Sequence, residues 1–377
     1  MVTQPYIRTI EDMEKLYYYG EGTQSVEKID APVLSTTTGV YNAIYGAQVW
    51  SLLNQEANAF GVLPKFPWSR SGWRNMSARA GSTADGGVAE GGALPDSIKP
   101  TFEEVSTKPK TVAHVFEVSE VQQFLTETDD AIGDLEMMRG MMGVKHKEAI
   151  NQQLLAAVEA GLAGNNFESI DRVCCSKAEV TDCSITSNYG DIYGWDRDSA
   201  TTHDAYVDEN SNTDRYLTDD MLRGMLTTLQ QNGANPTIWL TGWDTFSRIV
   251  SLYDPQVRYN VVGETMASVG VNGINTQAGF GFGVKVSTLY NIPLIISKDV
   301  YKDTISRIYL LDTSDPEGYG VPRMGIAIAR PTQYFEAGID KGDPFPVAKF
   351  TTKGMYRTMG ELICRVPQYQ GKIRDLK

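Results

Sequence analysis

The chain has 377 residues, 41% of them hydrophobic and 21% charged, the composition of a folded protein with room for two or three packed units. Its formal net charge of −13 disfavours general binding to nucleic acid or to an anionic membrane, so any such contact has to be local. The start MVTQPYIRTIEDMEK lacks the apolar core of a signal peptide, and no apolar run approaches the roughly 20 residues that span a bilayer, so a soluble protein made in the cytoplasm is expected.

Residues 1–30 place Ile10, Met13, Leu16 and Tyr17 at helical spacing between polar and glycine-bearing stretches, which suits an arm better than a domain. A stronger helix is predicted from Thr38 to Ala59, where Val40, Ala43, Ile44, Ala47, Trp50, Leu53 and Ala57 recur on one face. Gly61 and Pro64 stop it.

The stretch from Ser71 to Val118 reads as an outsized hairpin. Trp73, Met76 and Arg79 mark one arm, Phe102, Val105, Val112, Phe116 and Val118 the other, and Gly81, Gly86, Gly87, Gly91, Gly92 and Pro95 crowd the tip. An arm of about 15 residues reaches on the order of 50 Å, whereas a compact chain of this length has a radius of gyration of only about 21 Å. Such a ribbon needs a partner, because free strand edges and exposed aromatics invite association. Trp73, Met76, Arg79, Leu94 and Phe102 are therefore expected to lie against another copy of the chain, with Arg79 and Glu90 in charge pairs.

A short helix is predicted at Ser119 and Glu120, then a long one from Asp129 to about Leu162, carrying Ile132, Leu135, Met138, Met142, Ala149, Leu155 and Val158. Gly133, Gly140 and Gly143 lie near one face of it, at a cost in helix propensity of about 1 kcal/mol each, and are read as a groove where another backbone crosses. Residues 164–214 are polar and turn-rich and look like a surface insertion. A helix at 218–233, the strand TIWLTG and a helix at 243–252 follow. After a loop-like 254–282 come KVSTLYN, IPLIISKD, RIYLLDT, MGIAIAR, TQYFEAG, AKFTTKGMYRT and ELICRV, a β-rich end. The fold class is α+β.

Chemistry-bearing motifs are sparse. His114 alternates within a strand, His146 sits between Lys145 and Lys147 and reads as a solvated or interface residue, and His203 lies in the polar insertion. GxSxG, HExxH, CxxC and a phosphate-binding Lys-Ser/Thr loop are all absent from the sequence. GFGFG at 279–283 lacks the spacing of a dinucleotide loop. Asp191, Asp196 and Asp198, with Asp204 and Asp208 nearby, are weak candidates for a hard cation and otherwise a solvated acidic loop. Cys174, Cys175, Cys183 and His203 fit no standard zinc spacing. The cysteines are expected reduced and buried, with a bond from Cys183 to Cys174 or Cys175 as the alternative. No cofactor is expected and no enzymatic activity; a metal-dependent enzyme using the aspartates is the rival of a different class.

The order of elements, carried by GGVAEGGALPDSIKPTFEEVSTKPKTVAHVFEVS, DDAIGDLEMMRGMMGVKHKEAINQQLL, GFGFGVKVSTLYNIPLIISKDV, IYLLDTSD, IAIARPTQYFEAG and YRTMGELICRVP, resembles the major capsid proteins of tailed double-stranded DNA viruses of bacteria and archaea, the Hong Kong 97-like fold. The resemblance implies an N-terminal arm and helix at 1–68 and an extended loop at 69–118. It further implies a spine helix in a peripheral domain at 119–166, an α/β axial domain at 167–314 including the polar insertion 187–216, returning peripheral strands at 315–366 and a C-terminal segment at 367–377 that rejoins the axial domain. It implies homo-pentamers and homo-hexamers closing into an icosahedral virion capsid, synthesised in the host cytoplasm. Implied partners are a portal protein, with scaffold, protease or decoration proteins, weak contact with packaged DNA, and no membrane. The tip from Gly81 to Asp96 has no lysine, which argues against the covalent cross-link of some members. An encapsulin-type compartment, sharing fold and shell logic, is the alternative.

Overall fold

The computed structural model describes residues 58–78, 90–92, 101–128, 134–197, 203–257, 287–316, 318, 320–338 and 349–377. In chain order the elements are α1 (Asn58–Val62), β1 (Lys65–Pro67), β2 (Gly72–Ala78), β3 (Thr101–Ser106), β4 (Lys110–Ser119), α2 (Glu120–Thr128), α3 (Asp134–Leu154), α4 (Ile170–Val173), α5 (Lys177–Asp182) and β5 (Tyr206–Asp208). They continue with α6 (Asp219–Gln231), β6 (Ile238–Thr241), α7 (Trp243–Val257), β7 (Ser287–Leu289), β8 (Ile292–Ile296), β9 (Ile308–Leu311), β10 (Met324–Gly338), β11 (Thr351–Cys364) and β12 (Gly371–Ile373). The α+β expectation holds. The N-terminal arm, nearly all of the 38–59 helix, Arg79, Leu94, Gly133, Asp198 and the GFGFG run lie outside the described residues.

The chain divides into two units. The larger takes Glu56–Thr111, Glu148–Pro331 and Met359–Lys377. Its frame is a six-stranded mixed sheet of order β5-β12-β9-β6-β8-β7. The central strands β6 and β9, IWLT and IYLL, are buried at every position, which is what continuous apolar runs signify when both faces of a strand are covered. Helix α6 supplies part of that cover. Leu222, Met225 and Leu229, spaced three and four apart, bury against Trp239, Leu294, Leu310 and Ile373. Asp219 and Asp220 in its first turn complement the helix dipole. The approach is close enough that a Cβ on Gly371 of β12 would meet Met225 Sδ at 2.8 Å and Leu229 Cδ1 at 2.9 Å.

The smaller unit includes Val112–Lys147 and Thr332–Thr358. Within it the later half of β10, the first half of β11 and β4 are neighbours in that order. Phe116 of β4 stacks on Tyr334 of β10 with ring centroids 6.3 Å apart. Arg139 of α3 lies 4.4 Å over the Tyr334 ring, and Lys353 pairs with the buried Glu117 at 2.6 Å.

Two expectations change. Helix α3 ends at Leu154 and not near Leu162, because Ala157 is extended and Gly161 and Gly164 have φ of +99° and +57°. The apolar pattern continued past the helix because Leu154, Leu155 and Val158 are core residues in any conformation. The polar stretch 164–214 is not a surface insertion throughout: Glu168, Asp171, Arg172, Glu179, Arg197 and His203 are all buried, while 181–188 is mostly exposed and 210–213 is exposed. Within the chain, a side chain approaches Gly143. The Tyr356 hydroxyl would lie 3.3 Å from a Cβ there and donates to the Arg139 carbonyl at 3.0 Å, while Gly140 is exposed with nothing within 4 Å.

Candidate functional site

The foot of the hairpin belongs to the larger unit. β2 and β3 pair antiparallel, Gly72↔Ser106 through Met76↔Phe102, with a register shift between Met76 and Ala78. Alternation buries Val105 and leaves Phe102 56% exposed. Trp73 is half-buried against Tyr193 and Trp195, ring centroids at 5.3 Å and 6.4 Å, both edge-on. It also packs on the cluster of Phe66, Ala327 and Ile363. Tyr193 is fixed in turn: its hydroxyl donates to the Leu362 carbonyl at 2.6 Å and accepts from Cys364 N at 3.1 Å. His203 stacks flat on Trp195, centroids 3.7 Å apart, and bonds to Glu103 of β3. Asn75 donates to the Arg365 carbonyl at 2.5 Å. The ribbon is thus clamped on its own chain at one end.

Beside this clamp lies a groove of about 1480 Å³ lined by residues 66–75 and 102–106, by the approach to β10 and by the end of β11. Trp73 and Phe102, both expected at an interface, line it. Glu90 is exposed, and Met76 is placed by its backbone alone.

Behind the clamp, α4 and α5 carry charges that meet the C-terminal strand. Lys372, fully buried, sits 3.2 Å from Asp171 and 2.7 Å from Glu179. Arg374 reaches Glu179 at 2.7 Å and Glu159 at 3.0 Å. Arg307 reaches Glu159 at 2.6 Å, Asp303 at 2.8 Å and Asp171 at 2.9 Å. Asp171 also accepts from Tyr309 Oη and Val158 N. Burial alone would raise the Asp171 carboxyl, yet Lys372 and Arg307 hold it well below the usual carboxylate range. Burial would likewise lower Lys372, and Asp171 and Glu179 keep it above its ordinary value. Asp171 and Lys372 therefore stay charged at physiological pH, and the ion pairs hold 159–179, 303–307 and 371–375 together.

Two further titratable groups are shifted by burial. Glu361 accepts from Glu168 N at 2.6 Å and pairs with Lys110, at the start of β4, at 2.9 Å; burial pushes its carboxyl up to about 7, against the pull of Lys110. In the smaller unit His146 is buried, so of the two readings, solvated or interface residue, the solvated one does not hold. Its Nδ1 meets His114 Nδ1 at 2.8 Å and its Nε2 meets Thr358 Oγ1 at 2.7 Å. Burial and the neighbouring His114 lower it to about 4.

Among the described residues the aspartate candidates do not converge. Asp191 accepts from Arg197 N at 3.2 Å, Asp196 is exposed, Asp204 accepts from Lys177 N, and Asp208 pairs with Arg215. Among the described residues, donor atoms of Cys183, Glu209 and Asp375 lie within 4.8 Å of one another. Their chemistry is a poor fit to a cation: burial pushes the Cys183 thiol up to about 12, and Asp375 already accepts from Asn210 N, Asn212 N and Arg374 Nε. All four cysteines are buried and free, so the bond from Cys183 is not formed. Among the described residues no helix is long and apolar enough to cross a membrane.

No family model and no curated protein matches the sequence. Solved structures do. A chain of the cyanophage A-1(L) capsid asymmetric unit is 14% identical, with a TM-score of 0.58 over 88% of this chain and 95% of that one. A chain of the capsid of a native GTA particle is 12% identical, with a TM-score of 0.50 over 94% and 95%. A chain of the holo-SrpI encapsulin complex from Synechococcus elongatus PCC 7942 is 12% identical at a TM-score of 0.45, over 84% and 86%. At these identities the likeness is one of fold: nearly end to end, the chain has the fold of the capsid chains of cyanophage A-1(L) and the GTA particle.

Proposed function

We propose that the protein is the major capsid protein of a tailed double-stranded DNA virus, assembling as pentamers and hexamers into an icosahedral head. The observation that carries this reading is the near-complete coverage, 88% of this chain and 95% of the other, in the likeness to the cyanophage A-1(L) capsid chain. Exposed apolar side chains support it. Phe102 on the hairpin is 56% exposed, Val121 and Phe124 on α2 are 60% and 65%, and Trp243 and Val250, seven residues apart on α7, are 52% and 49%. Apolar surface on each of these elements suits a protein with several neighbours. Many contacts of modest net affinity, closed by symmetry, make a stable shell. A net charge of −13 suits a container that does not grip its polyanionic content. A portal protein, with scaffold, protease or decoration proteins, would complete the assembly.

Particles purified from the native source and treated with nuclease should retain protected double-stranded DNA. Particles filled with a protein cargo would favour the encapsulin-type alternative, and protein that stays in small oligomers would contradict both.

A further inference from the structure

Two of the three histidines of the chain meet in the smaller unit. His146 of α3 is fully buried and His114 of β4 half-buried, with their rings edge-on and centroids 5.0 Å apart. The 2.8 Å contact between their Nδ1 atoms is the first link of a chain. His146 Nε2 lies 2.7 Å from Thr358 Oγ1 of β11, which lies 2.8 Å from Thr332 Oγ1 of β10. Four elements are therefore tied by three consecutive side-chain hydrogen bonds.

Proton count decides whether that chain can exist. A link between two ring nitrogens holds one proton. With both rings neutral, one Nδ1 donates, the other accepts, and the threonine hydroxyls turn to match. With one added proton the links still hold, because a charged His146 donates from Nδ1 to His114 and from Nε2 to Thr358. With two, an N–H faces an N–H across 2.8 Å and two like charges share a buried site.

The surrounding elements do not offset those charges. Helix α3 brings Lys145, whose charge opposes that of His114, and Arg139, which lies over the Tyr334 ring. Strand β11 brings the Tyr356 ring, stacked on His146 with centroids 6.1 Å apart. Strand β10 brings Thr332 and Tyr334, the latter in the field of Glu336 and Arg139. The carboxylate of β4, Glu117, is taken by Lys353. Among the described residues no carboxylate bonds to either imidazole, whereas His203 of the larger unit bonds to Glu103.

We propose that the His114–His146 pair is an acid-operated latch of the smaller unit, closed up to one added proton and parting β4 from α3 when both rings are charged. The latch lies within one unit and does not depend on the shell reading. Burial lowers both imidazoles, His146 from 6.5 to about 4. The latch is therefore fully closed above the ordinary histidine range and opens as pH falls toward about 4.

Hydrogen–deuterium exchange of the full-length chain, read by mass spectrometry and corrected for intrinsic rates, tests it. Protection of residues 112–119 and 140–147 should fall at least about tenfold from about pH 6 to about pH 4, while β6 and β9 of the larger unit keep theirs. His114→Gln leaves one ring to titrate and a side chain that still forms hydrogen bonds. Its protection should fall with the slope of about one proton, against up to about two in the parent. His146→Gln, at the fully buried position, is the second variant and should show the same shallower slope. Constant protection of the parent across that range would overturn the proposal, as would equal slopes in the parent and His114→Gln. So would simultaneous loss in β6 and β9, which marks global acid unfolding.

Discussion

Lys372 and Asp171 are both fully buried and lie 201 positions apart in the chain. Removing one partner of such a cluster leaves an uncompensated charge in a medium that solvates it poorly, at a cost of roughly 3–5 kcal/mol. Asp171→Asn should therefore lower the stability of the larger unit by about that amount, measured as the shift of its urea unfolding midpoint. The exposed Arg74→Ala should change it by less than about 1 kcal/mol. Glu361 and His146 make opposite contributions to pH dependence. Glu361 is raised from 4.5 to about 7, so from about pH 4.5 to 7 the folded chain holds a proton that the unfolded chain has lost, and stability falls as pH rises. His146 is lowered from 6.5 to about 4, so the unfolded chain is protonated first and stability falls as pH drops through that window. Unfolding midpoints of Glu361→Gln should lose the first slope and keep the second; a parent-like profile would show that Glu361 does not titrate near neutrality.

At the scale of elements, the paired foot of the hairpin was legible because the apolar alternation of its arms is a local cue. But Val112, Phe116 and Val118, assigned to its second arm, belong to β4, which pairs with β11 in a separate sheet, because their burial is in the smaller unit. The clamp at the foot was not legible. Tyr193, Trp195 and His203 stand in a stretch rich in Asp, Ser and Asn, and only the fold brings them onto Trp73 and Glu103. The same stretch was read as a surface loop because polar residues usually are exposed; here Asp171 and Glu179 find partners in Lys372 and Arg374, some 200 residues on, a pairing no window of sequence contains. Helix α3 was drawn too long for the converse reason, since burial of Leu155 and Val158 imitates helical periodicity. Because the foot is held by its own chain, deletion of Ala80 to Pro95 should leave a soluble, folded protein that fails to close shells. Sedimentation tests this, and normal particles from the deletion would separate the tip from assembly.

For the whole molecule, a hairpin held at its foot and exposing Phe102, a groove of opposite charge to the chain, and apolar side chains on α2 and α7 all fit the proposed shell subunit, whose exposed surfaces await neighbours. The shell account requires that those surfaces meet one another. Single-particle cryo-electron microscopy of the assembled full-length chain addresses that most directly. The account predicts closed icosahedral particles built from pentamers and hexamers, with each hairpin lying on a neighbouring subunit. Discrete small oligomers, or particles in which the hairpin touches only its own subunit, would contradict it.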